Sequence, residues 1–265
     1  MKLRRALATA FACLLVGVGS AAAQSSLPSS KATAAVNTLV KCNMTKVSSN
    51  DGTAVLPGSC VDLWTGASVA TRNEWIEIMS TPVKLSNSQS LFVSPSLVSG
   101  LYTQTRTKTS PGTTSTAQAM GAVYLRAVLT PAGRGDDIVG APLNVCSASI
   151  FGCADPTGRA QWGVVLDSRI QSISQDLSAC TVLVGTTAGT CDITSTIDLI
   201  LNTASANTFN FIFPNVGQGA YTVKIYAAVG SDASVVGSGS AVGAAAFGLG
   251  SVTVEVVRLV HDFQF

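Results

Sequence analysis

The chain has 265 residues, of which 47% are hydrophobic and only 11% are charged, and its formal net charge at pH 7 is +2. Nucleic-acid binding depends on clustered Lys and Arg side chains that neutralise phosphates, whereas the basic residues here are scattered singly along the sequence. The composition therefore argues against a nucleic-acid partner. Soluble domains usually carry about a quarter charged residues, so the low charged fraction predicts that apolar surface is buried between copies of the chain.

The first residues have the pattern of a secretory signal peptide. Basic residues at positions 2, 4 and 5 precede an apolar run from Ala6 to Val18, and the small residues Ala21–Ala23 come before Gln24. The run is shorter than the roughly 20 apolar residues that a membrane span requires, so cleavage is expected. We predict a signal peptide over residues 1–23 and no membrane span. The mature chain is expected to be secreted, extracellular or at the cell surface, with the periplasm as the alternative, and its net charge is about −1.

The mature sequence contains an even number of cysteines, which is typical of exported proteins with disulfides. Asn50-Asp51-Gly52 is a strong hairpin-turn sequence, because these residue types tolerate the positive φ angles of tight turns. Cys42 and Cys60 each lie nine residues from Asp51, so a hairpin closed there would place them opposite one another. Sequential pairing is the economical prediction for the others. The predicted disulfide cysteines are Cys42, Cys60, Cys146, Cys153, Cys180 and Cys191.

Strand signals dominate the rest of the chain. Apolar and polar residues alternate with a period of two, and turns containing Pro or Gly separate the alternating segments. We therefore predict an all-β fold, an antiparallel β-sandwich over residues 66–265, preceded by an N-terminal arm or hairpin over residues 24–65. The predicted strands are Trp75–Met79, Ser90–Val93, Leu101–Thr107, Ala122–Leu129, Gln161–Leu166, Thr208–Phe213, Tyr221–Val229 and Val252–Val260.

Three segments depart from this pattern. Apolar residues spaced by three and four predict one or two short helices, over 170–177 and over 197–204, where Ser195 and Asp198 form a capping box. Residues 230–250 are rich in Gly, Ser and Ala, which predicts a flexible loop. The alternative for this last segment is that its small residues let strands of neighbouring subunits approach closely.

Residues 213–223 resemble a motif of the C1q and tumour-necrosis-factor jelly rolls. Phe213 is followed after five residues by Gly219 and then by Tyr221, while Val223 stands where that family has Phe. The resemblance implies that the predicted sandwich over residues 66–265 is jelly-roll-like and that it acts in assembly or recognition, often as a trimer, and not as an enzyme. The chain is also similar to exported bacterial proteins of unassigned function, and that similarity transfers no site.

The sequence predicts no catalytic residue, no cofactor and no metal site. His261 is the only histidine, and no G-x-S-x-G elbow, H-E-x-x-H or C-x-x-C motif accompanies it. Glycoside hydrolysis needs only two carboxylates and is the enzyme class hardest to exclude, with Asp62, Glu74 and Glu77 as the acids nearest the tryptophans. Glu74 and Glu77 are three residues apart, so on a strand they would point to opposite faces.

We therefore expect a non-catalytic secreted or cell-surface protein with a structural or interaction role. It would act through self-association, with a trimer favoured, or through a protein or surface-glycan partner. The alternative is a glycan-binding module, in which aromatic rings form a flat stacking platform. A pilin-like subunit completed by a strand of its neighbour is a further alternative. The candidate platform residues are Trp64, Trp75, Tyr102 and Tyr124.

Overall fold

The computed structural model describes residues 32–49, 56–57, 60–61, 68–69, 75–133, 135–142, 144–145, 162–178 and 195–257. Nearly all of them lie in β-strands, which confirms the predicted all-β class. The strands are β1 (Ala32–Asn37), β2 (Lys41–Ser48), β3 (Leu56–Pro57), β4 (Cys60–Val61), β5 (Ser68–Val69), β6 (Ile76–Leu85), β7 (Gln89–Thr109), β8 (Thr114–Pro131), β9 (Ile138–Val139), β10 (Asn144–Val145), β11 (Trp162–Asp176), β12 (Ser195–Thr208), β13 (Phe211–Val216), β14 (Gly219–Val236) and β15 (Gly239–Val257).

Two antiparallel sheets pack face to face. The seven-stranded sheet has the order β12-β7-β15-β2-β3, with β13 also paired to β7 and β1 also paired to β15. The six-stranded sheet has the order β10-β11-β8-β14-β6, with β9 also paired to β8, and β4 and β5 form a separate pair. β7 and β15 contact β8 and β14 across the interface, so the protein is a β-sandwich. Within the described residues, no helix has the length and hydropathy needed to span a membrane.

Two connections pass from one sheet to the other at the same end of the sandwich. The β7–β8 connection contains Gly112 with φ of 75°, and the β14–β15 connection contains Gly237 with φ of 79°. Glycine suits both positions because it adopts positive φ without a steric penalty. We call this end of the sandwich the turn end.

The core changes in character along the sandwich. Away from the turn end it contains large apolar side chains, among which Leu91, Leu125, Phe211, Phe213 and Phe247 are fully buried. Near the turn end the second core cluster consists of Ala117, Ala119, Ala233, Ala241 and Val47. Because these side chains are short, the two sheets approach each other closely there.

The prediction of a flexible loop over residues 230–250 is wrong. This segment lies in β14 up to Val236 and in β15 from Gly239 onward. Its small residues allow the two sheets of a single chain to meet. Ala244 of this segment, for example, lies so near β8 that a Cβ at Gly121 would be 2.5 Å from the Ala244 carbonyl oxygen.

The two predicted short helices are also wrong. Residues 170–176 belong to β11, which pairs with β8, and residues 197–204 belong to β12, which pairs with β7 over its whole length. Both strands lie outside the central pairs of their sheets and expose apolar residues, including Ile170, which is 67% exposed. Apolar residues at solvent-exposed positions fall outside the two-residue alternation of a half-buried strand, and this produced the apparent helical spacing.

The segment for which the sequence predicts an arm or hairpin contributes strands to the larger sheet. β1 and β2 both pair with β15. β2 also pairs with β3, with Thr45 opposite Pro57 and Lys46 opposite Leu56. Both pairs are symmetric about position 51, as the Asn-Asp-Gly turn predicts, while the turn itself lies outside the described residues.

Candidate functional site

The aromatic residues proposed for a stacking platform do not share one surface. Tyr124 is only 1% exposed, and its neighbours Val123 and Leu125 are in the core, so its ring lies on the outer side of β8 under other groups. Trp75 packs against the same cluster. Tyr102 lies on the outer side of β7, in the other sheet. Trp64 is outside the described residues.

Trp75 belongs instead to a packed cluster around Arg126. The guanidinium carbon of Arg126 is 5.0 Å from the ring centroid of Trp75 and 4.7 Å from that of Tyr226, so the cation lies against both rings. Burial lowers the pKa of Arg126, an effect that Tyr226 and Asp137 oppose. Arg126 Nε and Trp75 Nε1 are buried and have no hydrogen-bond partner among the described residues.

Of the residues considered for catalysis, Glu77 lies in the described part of the chain. The Glu77 carboxylate lies 3.8 Å from Lys224 Nζ and 3.5 Å from the Tyr226 hydroxyl. Glu74, Asp62 and His261 lie outside the described residues. Among the residues that are described, no group of three His, Cys, Asp or Glu side chains could hold a metal ion.

Cys42 is disulfide-bonded and is buried on β2. Continuing the β2–β3 register would place it opposite Cys60, and β4, which contains Cys60, contacts β2. The pairing of Cys42 with Cys60 is therefore compatible with the hairpin and stays a prediction. Cys146, Cys153, Cys180 and Cys191 lie outside the described residues.

A row of polar side chains joins β11 to β7 and β12 between the two sheets. Gln171 accepts a hydrogen bond from Thr103 at 2.6 Å and donates to Thr105 at 2.7 Å and to the Leu199 carbonyl oxygen at 2.8 Å. Asp167 accepts hydrogen bonds from Ser99, Ser205 and Asn207. We call this row the polar ladder. Sequence reasoning missed it, although the alternating Thr residues of β7 were a signal for a polar inner face.

The polar ladder holds β12 in place, and among the described strands the other edge of β12 is open. β12 has 14 residues and pairs with β7 without a register shift, and no other described strand pairs with it. Edge strands are usually protected by Lys, Pro or a bulge, and β12 has none of these. Its one charged residue is Asp198, and its exposed apolar residues are Ile197, Leu199, Ile200 and Leu201.

The outer side of the seven-stranded sheet contains a trough of about 560 Å³. Its floor and walls include Gly100, Tyr102, Met44, Ala244 and Ala246. A second concavity of about 460 Å³ adjoins it toward the turn end. This second concavity is lined by Arg106, Lys108 and serines at positions 48, 49, 110, 238 and 240.

Comparisons with known proteins support no family assignment. No protein-family model matches the sequence, and no curated protein matches it. A structure of infectious bursal disease virus, Gx strain, is 12% identical with a TM-score of 0.20, and the match covers 86% of this chain and 65% of that one. A subviral particle of the VP2 protein of the same virus is 10% identical, with the same coverage and a TM-score of 0.08. The class of the protein, an all-β antiparallel sandwich, rests on its own strands.

Proposed function

We propose that this chain is an exported, non-catalytic structural protein that acts through self-association, and that the open edge of β12 is the surface through which copies assemble. The observation that supports the proposal most directly is the exposure of apolar residues on that edge: Ile200 is 55% exposed and Leu199 is 41% exposed. An unprotected, apolar edge strand is a template for pairing with another chain. The low charged fraction of 11% supports the same conclusion.

The chemistry of β12 favours pairing with a second copy of itself. In an antiparallel pair related by a two-fold axis at Ile200, Leu199 lies opposite Leu201 of the other copy. In that register Asp198 faces Asn202, so the two carboxylates of the pair are not placed opposite each other. Opposed apolar residues stabilise strand pairs, and opposed like charges destabilise them. The pair would join two seven-stranded sheets into one continuous sheet, with the isologous contact of a closed dimer.

The resemblance to the C1q and tumour-necrosis-factor jelly rolls favours a trimer instead. A three-fold assembly would bury the side chains of β12 by lateral packing and would leave its backbone edge unpaired. Strand pairing and lateral packing therefore predict different stoichiometries and different neighbours for Ile200.

A cysteine cross-link tests strand pairing at β12. Ile200→Cys would place the two introduced Cα atoms about 5 Å apart across the proposed axis, within disulfide reach. Mild oxidation is expected to yield a covalent dimer on a non-reducing gel. Thr196→Cys is the matched control, since the two copies of residue 196 would lie about 27 Å apart along the paired strands. Equal cross-linking of both variants, or of neither, would exclude this register.

Light scattering on the mature chain at micromolar concentration tests self-association itself. We expect an oligomer for the unmodified protein and a monomer for Leu199→Lys, because a buried unpaired charge opposes assembly. Val36→Lys is the control, since Val36 is 75% exposed on β1, far along the chain from β12. A monomer of the unmodified protein contradicts the proposed function, and a trimer contradicts the strand-paired dimer.

Export is part of the same proposal. We expect the secreted protein to begin at Gln24 and to contain no free thiol, as mass spectrometry of the intact protein would measure. Retention of residues 1–23 in the mature protein would contradict it.

A further inference from the structure

We infer that the outer side of the seven-stranded sheet binds a single-chain anionic amphiphile, with its alkyl chain in the trough and its anionic head group in the adjoining basic concavity. This inference does not require self-association, because the trough lies on the face of the sheet, with Asn202 of β12 on one side of it.

The trough suits an alkyl chain because small and apolar side chains line it. Gly100 and Ala246 are buried in its floor, whereas Ala244 and Val242 are partly exposed beside them. Tyr102 and Met44 are partly exposed and form walls. The volume of about 560 Å³ falls in the range of small-molecule sites. From Ser240 to Ala246 the strand rises by about 20 Å, which is long enough for an extended twelve-carbon chain.

The adjoining concavity suits an anion because the fold brings basic side chains of β7 and β2 together. Arg106 and Lys108 are two residues apart on β7, so their side chains lie on the same face. Lys46 of β2 joins them from across β15, since Val242 pairs with both Lys46 and Gln104. All three cations are exposed. The hydroxyl groups of Ser110, Ser238 and Ser240 can donate hydrogen bonds to an anionic oxygen there, whereas that of Ser49 already donates to the Gly239 carbonyl oxygen.

These positive charges have no carboxylate within ion-pair distance among the described residues. By register the carboxylate nearest Arg106 is that of Asp198, which accepts hydrogen bonds from Gln104 Nε2 at 3.1 and 3.4 Å. An anionic head group would therefore complement three unpaired cations at the polar end of an apolar trough.

The two concavities are continuous. Ser240 lines both of them, and it pairs with Ser48 on one side and with Arg106 on the other. Lys46 and Gln104 line the trough next to Ser240. One molecule can therefore contact the apolar floor and the basic end at the same time, which distinguishes an amphiphile from a neutral hydrocarbon and from a free inorganic anion.

Isothermal titration calorimetry with sodium dodecanoate, below its micellar concentration, tests the inference on the mature protein. We expect saturable binding, at least tenfold weaker binding of dodecanol, and no measurable heat with inorganic phosphate. Arg106→Gln/Lys108→Gln is expected to weaken dodecanoate binding at least tenfold. Lys224→Gln, which removes a positive charge from the other sheet, is expected to change it less than twofold.

Ala244→Leu fills the trough and provides a second test that leaves every charge in place. Because Ala244 is partly exposed, this variant is expected to keep the circular dichroism spectrum of the unmodified protein while losing most of the dodecanoate affinity. Absence of binding to the unmodified protein overturns the inference. So does equal binding of dodecanol, or affinity that persists in both the charge variant and the trough variant.

Discussion

Gly243 of β15 lies directly against the backbone of Met120 in β8. A Cβ at position 243 would be 2.2 Å from the Met120 carbonyl oxygen and 2.4 Å from that of Asp232 in β14. Real Cβ atoms do not approach backbone oxygens so closely, so the two sheets can be this near only because residue 243 is glycine. The close approach of the sheets at the turn end therefore requires a residue without a Cβ at position 243.

Gly243→Ala is expected to lower the free energy of unfolding by about 1–3 kcal/mol, because overpacking forces the two sheets apart. Urea denaturation followed by circular dichroism measures the change. Gly133→Ala is the control, since a Cβ at Gly133 would meet no atom within 4 Å, and its effect should stay within about 0.5 kcal/mol. If Gly243→Ala changes the free energy of unfolding as little as Gly133→Ala does, the close approach of the sheets at Gly243 is not required for stability.

The symmetry of the β2–β3 register about position 51 predicts that Cys42 is linked to Cys60. Peptide mapping under non-reducing conditions should recover one peptide pair that contains both residues. Replacing both by Ala should lower the stability by about 3 kcal/mol, because the bridge closes a short loop in the unfolded chain. A peptide that links Cys42 to Cys146 would contradict the hairpin.

Gln171→Ala should lower the free energy of unfolding by about 1–3 kcal/mol, since it leaves the buried hydroxyl groups of Thr103 and Thr105, and the Leu199 carbonyl oxygen, without the partner that now satisfies them. Hydrogen exchange in β12 should also become faster, because Gln171 bonds directly to that strand. Ser172→Ala changes the next residue of β11, which is exposed, and should alter neither quantity. Unchanged exchange in the Gln171 variant would mean that the polar ladder does not hold β12.

Burial raises the pKa of Tyr124 to about 12 from the ordinary value of 10.0. The folded protein therefore favours the neutral phenol, and the unfolded chain loses its proton first as the pH rises. The stability that the neutral phenol of Tyr124 contributes to the folded protein is fully present below pH 10 and is lost between pH 10 and about 12. In urea denaturation at a series of alkaline pH values, Tyr124→Phe should lose stability less steeply than the unmodified protein. Parallel pH profiles would contradict the assignment to Tyr124.

The sequence predicts the strands that have one buried face, because alternation leaves a clear signal there. β14 is an example, in which Val223 and Ile225 are buried whereas Thr222 and Lys224 are partly exposed. It also predicts the hairpin about Asp51, because turn residues act locally. The strand predicted over Gln161–Leu166 covers only the start of β11. β12 could not be recognised in this way, since its apolar residues at 197 and 199–201 are exposed and occupy both faces.

The candidate sites depend on pairings between distant segments, which one sequence does not reveal. Lys46 and Arg106 become neighbours only because β15 pairs with both of their strands. Gln171 meets Thr103 only because β11 lies opposite β7 in the sandwich. Tyr124 suggested an exposed platform because a strand aromatic on an outer face is usually open to solvent, but Trp75 and its neighbours cover it.

The position of β15 determines the order in which the larger sheet can form. β15 pairs with β7 on one side and with β1 and β2 on the other, and it follows all of these strands in the chain. During synthesis, the facing edges of β2 and β7 have no partner until β15 emerges. Such long-range closure is slow, because distant segments must meet before any contact stabilises them. In a chain exported as we propose, the larger sheet can close only after the last strand has been translocated.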